Sequence, residues 1–172
     1  MHNCLVGSEM CIRDRGCGLI GSSILRAIQE KKLATKISVY DKSNKVLEYL
    51  KKNFTADICS NVSETTKDAD LTIISAPLSS YKEILLSIKS TLKEGSILTD
   101  TGSAKKEVNK IVNNLSLKNI SWIASHPIAG TEYSGPAAGF SNLFKNRWCI
   151  LSADNQVAKD KIENLEKFWS KL

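Results

Sequence analysis

Short runs of apolar residues alternate along this chain with longer stretches in which apolar residues recur every three or four positions. The short runs are typical of strands covered on both faces, and they occupy residues 37–40, 71–75, 96–99, 120–124 and 148–151. The longer stretches predict amphipathic helices over residues 19–29, 45–52, 81–92 and 105–115. Such alternation is the signature of βαβ units. The chain is therefore predicted to form a Rossmann-like, doubly wound α/β fold, with a mostly parallel sheet and flanking helices.

The start of the chain does not follow this pattern. A doubly wound fold needs a central strand directly before Gly16, yet Arg13, Asp14 and Arg15 place three successive charges there. Buried strands do not carry such charges. We interpret residues 1–15 as a leader that is not native to the domain, the alternative being a natural but divergent start. This interpretation predicts a frayed first strand and poor binding of any ligand that depends on it.

The C-terminal stretch carries the pattern of an amphipathic helix over residues 156–172 and ends without glycine, proline or a polar tail. We therefore expect residues 16–172 to form one domain that is truncated at its C-terminal end. Phe168, Trp169 and Leu172 are expected to be exposed, because their partners would lie in a further domain.

Composition narrows the classes of protein that remain. The chain has 172 residues, of which 42% are hydrophobic and 24% are charged, which is typical of one globular domain. No apolar run reaches the ~18 residues that a membrane-spanning helix needs, so we expect no membrane partner. The net charge is +6, but the lysines are scattered with few interleaved aromatic residues. We expect solvated helix faces and no nucleic-acid partner.

The five cysteines include no C-x-x-C pair, and only two histidines accompany them. This set fits neither a zinc site nor a disulfide framework, so we predict no metal. Free thiols indicate a reducing compartment. The N-terminus also lacks the basic start and apolar core of a secretory signal, and we expect the protein to be cytoplasmic.

One glycine motif indicates a nucleotide site. Residues 16–21 match G-x-G-x-x-G and open a predicted helix. Such glycines allow a tight turn, a close approach to a pyrophosphate and close helix packing, and the free amides of the helix start bind phosphates. Residues 16–172 are thus predicted to be a dinucleotide-binding domain. Its predicted cofactor contacts include Gly16, Gly18, Leu19, Ile20 and Gly21.

An acidic residue supports the same prediction. Asp41 follows the apolar run at 37–40, twenty residues beyond Gly21. A carboxylate at this place accepts hydrogen bonds from the adenosine ribose and repels a 2′-phosphate, so NAD is predicted rather than NADP. The alternative is that Asp41 only caps a helix or a turn.

Small and polar residues follow two further predicted strands. Open α/β sheets bind ligands at the carboxyl ends of their strands, so both connections are predicted to line the cofactor site. The residues concerned are Ser75, Ala76, Pro77, Thr101 and Gly102. The neighbouring Ser103 is either a site residue or a cap of the following helix.

The stretch HPIAGTEYSGP, residues 126–136, follows the predicted strand at 120–124. His126 is the only histidine outside the leader, and histidine suits general-base catalysis near neutral pH. A glycine-containing loop with Thr131 and Glu132 follows it. The alternative is a structural histidine.

Together, the motifs GCGLIGSS, ISAP and TDTGSAK, the strand-end Asp41 and above all SHPIAGTEYSGPAAGFSNLFKNRWCIL resemble the cofactor-binding half of the prephenate dehydrogenase family and its arogenate-using relatives. The resemblance covers residues 16–172. It implies NAD-linked oxidative decarboxylation of prephenate to 4-hydroxyphenylpyruvate in tyrosine biosynthesis. It also implies an all-helical C-terminal domain, absent here, that supplies homodimer contacts and a substrate-binding arginine. The fragment alone is therefore expected to be inactive.

The resemblance also implies roles for individual residues. His126 is the expected base or hydrogen-bond acceptor, and Ser103 is expected to orient its imidazole. Thr131 and Glu132 are expected to shape the pocket for the small-molecule substrate. The catalytic set is thus His126, Ser103 and Glu132, with Thr131 added for substrate binding.

Three other functions stay open on the sequence alone. One is arogenate dehydrogenase, and another is a different small-substrate Rossmann oxidoreductase, such as a β-hydroxyacid dehydrogenase or an imine reductase. The third is a non-catalytic nucleotide-binding regulatory module. Fold class does not separate them, because function depends on the site.

Overall fold

The computed structural model describes residues 10–13, 17–115 and 117–172. Its strands are β1 (Met10–Arg13), β2 (Ser38–Val39), β3 (Asp57–Ile58), β4 (Leu71–Ile74), β5 (Ile97–Asp100), β6 (Ser121–Pro127) and β7 (Cys149–Ala153). Its α-helices are α1 (Leu19–Lys31), α2 (Asn44–Asn53), α3 (Val62–Thr66), α4 (Tyr81–Ile88), α5 (Lys105–Leu115) and α6 (Lys159–Lys171).

The main sheet has the strand order β1-β4-β5-β6-β7. The pairs from β1 to β6 are parallel, and β7 pairs antiparallel with β6. Strands β2 and β3 form a separate parallel pair, and β2 contacts β1. Parallel neighbours joined by helical crossovers confirm the predicted Rossmann-like fold. The carboxyl ends of β1, β4, β5 and β6 share one edge of the sheet.

The core lies on both faces of this sheet, because alternate strand residues point in opposite directions. Leu71 and Ile73 of β4 belong to a buried cluster with residues of α1 and α6. Ile74, the next residue, belongs to a second cluster with residues of α4 and α5. Helices therefore cover both sides, and the strands read as nearly continuous apolar runs for that reason.

The first strand differs from the prediction. Residues 10–13 form β1, which pairs in parallel with β4 over its full length. Three of these four residues are Met, Cys and Ile, and the fourth, Arg13, is the first of the three successive charges. The other two, Asp14 and Arg15, lie outside the described residues. A first strand is therefore compatible with this sequence. The origin of residues 1–15 stays a prediction.

The expectation that α6 exposes its apolar side chains is wrong. Phe168, Trp169 and Leu172 are 4%, 8% and 4% exposed. The Trp169 ring packs edge-on against Phe144 and Phe168, with ring centroids 5.7 and 5.6 Å apart. The amphipathic pattern indicated a buried face, but the partner is this domain's own core and not a further domain.

Three of the exposed large apolar side chains lie close together around the β6–β7 pair. Ile128 directly follows β6, Trp148 directly precedes β7 and Ile150 is on β7, and they are 44%, 84% and 57% exposed. Strand β7 is an edge strand, and its alternate residues Ile150 and Ser152 are exposed on one face. Among the described residues, no helix is long and apolar enough to cross a lipid bilayer.

The packing of α6 makes a direct prediction. Phe168→Ala should lower the free energy of unfolding by about 3–5 kcal/mol, because it leaves a cavity between α6 and the core. Lys167→Ala, at the neighbouring exposed position, is the matched control and should change it by less than about 0.5 kcal/mol. Urea unfolding measures both. Equal stability of the two variants would mean that α6 does not pack on this domain.

Candidate active site

The first turn of α1 lies where the parallel strands end, and this end of the sheet is called the functional edge below. The first backbone amides of α1 have no carbonyl partner within the helix. Gly18 is the N-cap, and the first helical hydrogen bond runs from the Ser22 amide to the Gly18 carbonyl at 3.0 Å. The amides of Leu19, Ile20 and Gly21 precede that bond, as expected at a helix start. Such amides bind anions. Gly16, the other predicted contact in this motif, lies outside the described residues.

Asp41 connects this turn to the end of β2. Its side chain is buried, with 2% exposure. One carboxylate oxygen, Oδ2, accepts a hydrogen bond from the Cys17 amide at 2.6 Å, and Oδ1 accepts one from the Ser43 amide at 2.7 Å. Asp41 is thus a turn residue and also a direct neighbour of the glycine motif, so the two interpretations of this residue are compatible.

The connection after β4 contains an unsatisfied hydroxyl. The Oγ of Ser75 is buried and has no hydrogen-bond partner in the described part of the chain. Ala76 is half-buried, and the exposed Pro77 precedes a short 3-10 turn at Leu78–Ser80. Buried polar atoms without partners are rare, and they mark places where a ligand or water is expected.

Asp100, the last residue of β5, is fully buried and is the centre of a polar network. The Lys105 ammonium lies 2.6 Å from both carboxylate oxygens. The Tyr81 hydroxyl and the Gly102 amide donate to Oδ2, each at 3.1 Å. The Ser125 amide donates to Oδ1 at 3.1 Å. The carboxylate therefore connects α4, α5 and β6 at the functional edge.

Lys105 also donates a hydrogen bond to the Ser125 carbonyl. Both backbone polar groups of Ser125 are therefore bound by the Asp100–Lys105 pair, the amide by Asp100 and the carbonyl by Lys105. Burial lowers the pKa of Lys105, and the adjacent Asp100 carboxylate opposes that shift. The Ser125 hydroxyl lies 2.6 Å from that of Thr99 and accepts a bond from the Trp169 indole at 3.2 Å. Because Ser125 directly precedes His126, the network fixes the backbone that carries the histidine.

His126 lies within β6, opposite Ile150 of β7, and not after the strand as predicted. The antiparallel pairing with β7 extends β6 through Pro127, which sequence patterns did not indicate. The side chain of His126 is half-buried at the edge of the sheet where the parallel strands end.

Cys149 pairs with Pro127 and lies near the same network. Burial raises the pKa of Cys149 to about 12, against the opposing effects of a hydrogen bond with the His126 backbone and the Lys105 charge. A thiol with that pKa stays protonated at neutral pH, so it is a poor base and a poor nucleophile. His126 is therefore the better candidate for proton transfer.

The remaining predicted residues lie in the connections that follow β5 and β6. Ser103 is exposed and lies two residues before the start of α5. The N-cap of α5 is the residue directly before the helix, so Ser103 is not that cap. Among the described residues, no hydrogen bond joins Ser103 to the His126 ring. Thr131 and Glu132 are exposed in the loop after β6, where the Thr131 hydroxyl accepts from the Tyr133 amide at 3.2 Å. Thr101 and Gly102 are half-buried beside Asp100.

Sequence reasoning did not select Tyr81, Asp100, Lys105 or Ser125. One signal could have found two of them: a buried strand that ends in aspartate, with a lysine five residues later at a helix start. Tyr81 and Ser125 were recognisable only in three dimensions. No group of three or more side chains suited to hold a metal ion occurs within residues 10–13, 17–115 and 117–172.

The chain is similar to known dehydrogenases over most of its length. Residues 24–172 match the family described as prephenate dehydrogenase, nucleotide-binding domain. A cyclohexadienyl dehydrogenase of Zymomonas mobilis is 32% identical over 158 residues, which cover 91% of this chain and 54% of that protein. The chain therefore spans about half the length of this relative.

Two solved structures share the fold. Arogenate dehydrogenase from Synechocystis superposes with a TM-score of 0.80 at 21% identity, over 92% of this chain and 55% of that one. Prephenate dehydrogenase from Aquifex aeolicus, in complex with hydroxyphenyl propionate and NAD+, gives a TM-score of 0.77 at 21% identity, over 95% and 57%. The family match over residues 24–172 establishes that this chain belongs to the prephenate dehydrogenase family, in its nucleotide-binding domain.

Proposed function

We propose that this domain binds NAD and forms the cofactor half of a dehydrogenase that converts prephenate to 4-hydroxyphenylpyruvate in tyrosine biosynthesis. The observation that carries the proposal is the common edge of the sheet, which holds both the free amides of α1 and the anchored His126. Family membership and the relatives' names support the same activity.

The residues at this edge fit a dinucleotide. The amides of Leu19, Ile20 and Gly21 suit the pyrophosphate, and Asp41 lies beside them for the adenosine ribose. At the next strand end, Ser75 offers a hydroxyl that has no hydrogen-bond partner among the described residues. From β1 to β6 there are three strand spacings of about 4.8 Å, or about 14 Å in all. An extended dinucleotide at α1 can therefore place its far ring near His126.

When bound, NAD would supply the acceptor for the hydride that leaves C4 of the cyclohexadienol ring. In the proposed reaction, His126 accepts the proton of the C4 hydroxyl as C4 becomes a carbonyl. The ring carboxylate then leaves as carbon dioxide, its bonding electrons make the ring aromatic, and His126 returns the proton to the resulting phenolate oxygen. The network around Asp100 holds His126 in place for this transfer. Such proton transfer contributes about 10² to 10⁴ in rate.

Ser103, Thr131 and Glu132 belong to the substrate side in this proposal. All three are exposed, so they are available to a substrate above the strand ends. In the described chain Ser103 does not contact the His126 ring, and its proposed role is to orient that ring once the substrate is bound.

Further polypeptide is proposed to complete the site. The exposed apolar side chains are those of Ile128, directly after β6, Trp148, directly before β7, and Ile150, which is opposite His126 in β7. The relative from Zymomonas is nearly twice as long as the matched region. We propose that the remaining, helical half of the protein covers this patch, contributes the substrate-binding arginine and forms a homodimer in the cytoplasm.

Substitution of His126 tests the catalytic part. In the full-length protein, His126→Asn should lower kcat by about 10² or more while the dissociation constant of NAD stays unchanged, because the imidazole acts in the transition state. Steady-state assays with prephenate and with arogenate, followed by NADH absorbance, provide kcat and identify the substrate. Retention of most of the turnover would show that His126 is structural, which favours a regulatory module.

Cofactor choice tests the role of Asp41. NAD should bind at least about tenfold more tightly than NADP, because the carboxylate repels a 2′-phosphate. Because β1 is formed and α6 covers the core, the chain itself should suffice for this titration by calorimetry. In Asp41→Asn the preference should disappear and both affinities should fall, since an amide offers one acceptor oxygen to the Cys17 and Ser43 amides. Tighter binding of NADP to the unaltered chain would contradict the assignment.

Cys149 provides a separate test of the site's electrostatics. Its pKa is raised from 9.0 to about 12, so at pH 8 the thiolate fraction is about 10³ lower than in an ordinary cysteine. Alkylation of the Cys149 peptide by iodoacetamide, followed by mass spectrometry, should be slower by that factor in the folded chain than in the chain unfolded in urea. Comparable rates in both states would mean that Cys149 is not buried beside the network.

A further inference from the structure

The loop from the end of β6 to β7 returns across the first turns of α1. Within it, Gly139 has φ −70° and ψ 149°, an extended conformation open to any residue. Its neighbours exclude a side chain nevertheless. A Cβ at this position would overlap the Ser22 Oγ and would lie 2.9 Å from the Ser23 amide nitrogen. Glycine is required here by the close approach of two backbones, and not by its own torsion angles.

A hydrogen bond accompanies this contact. The Phe140 amide donates to the Ser23 Oγ at 3.1 Å, and the same hydroxyl donates to the Leu19 carbonyl at 2.7 Å. The neighbouring Ser22 Oγ donates to the Gly18 carbonyl at 2.7 Å. Both serines are fully buried. The Ser23 hydroxyl therefore links the loop, at Phe140, to Leu19, whose amide belongs to the helix start.

The loop is also anchored at other points. A short 3-10 turn at Pro136–Ala138 contacts α1 and α2. Beyond it, Leu143 and Phe144 are buried in the cluster that includes α1 and α6. At the base of the loop, the Ile128 amide donates to the Trp148 carbonyl at 2.8 Å. These contacts restrain the loop on both sides of Gly139.

We propose that Gly139 and Phe140 are positioning residues of the nucleotide site. They clamp the first turn of α1, so that the phosphate-binding amides and the loop that carries Thr131 and Glu132 move as one unit. This inference rests on the proposed binding of NAD by α1. It means that occupancy of the nucleotide site is transmitted to the substrate loop through the Phe140–Ser23 bond.

The test uses NAD titrations of the chain and of two alanine variants of the same loop. In Gly139→Ala, the new methyl group displaces Ser22 or the loop, and the NAD dissociation constant should rise about tenfold. The matched control is Gly130→Ala, whose Cβ would meet no atom within 4 Å, and this variant should bind NAD like the unaltered chain. Circular dichroism establishes that each variant is folded at the titration temperature.

Ser23→Ala keeps the proposal testable if Gly139→Ala does not fold. It removes the acceptor of the Phe140 amide without adding volume. Hydrogen exchange of that amide should slow when NAD is added to the unaltered chain, and this NAD effect should disappear in Ser23→Ala. A contact with a purely structural role would not respond to NAD.

The outcomes separate the two proposals. If the unaltered chain does not bind NAD, both the proposed function and the clamp are overturned. If it binds NAD, but Gly139→Ala binds equally well or Phe140 exchange does not respond to NAD, the clamp alone is overturned. Weaker binding by Gly139→Ala but not by Gly130→Ala, together with NAD-dependent protection of Phe140, supports the clamp.

Discussion

The site depends on one buried charge, the carboxylate of Asp100. A carboxylate with no exposure to solvent is stable only if its oxygens are paired. Here the partners come from different elements: the Lys105 ammonium of α5, the Tyr81 hydroxyl of α4 and the Ser125 amide of β6. The need to satisfy this single group therefore fixes how two helices and a strand meet at the functional edge.

The elements around Asp100 and the first turn of α1 are held at that edge by different contacts. The elements around Asp100 are held by charge-assisted hydrogen bonds, which are shorter and stronger than neutral ones. They carry His126, and the proposed proton transfer depends on the position of this residue, because a general base must lie within hydrogen-bond reach of the proton it accepts. The nucleotide turn is held differently, by Asp41 and by the loop that contacts Ser22 and Ser23. Thr131 and Glu132, which lie between His126 and Gly139 in the chain, are exposed.

Much of this fold was predictable because buried parallel strands and amphipathic helices leave strong periodic signals, as in β4 and α5. What failed had physical reasons. Strand β3 and helix α3 are too short for a period, with two and five residues. The apolar face of α6 indicated burial but could not indicate its partner. The glycine motif and His126 were recognisable as chemistry, and the five-residue spacing of Asp100 and Lys105 was a signal in the sequence. The contacts of Tyr81 and Ser125 with Asp100 and the tight contact at Gly139 are recognisable only in three dimensions.

The central claim is that NAD lies across the carboxyl ends of the strands, from α1 to His126. The most direct measurement is a map of backbone amide chemical shifts in the isotope-labelled chain as NAD is added. The account predicts perturbations at residues 18–21, 75–76, 101–102 and 125–126, at the carboxyl ends of the parallel strands. Perturbations confined to the opposite edge, for example around Gly95 and Asn119, would contradict it.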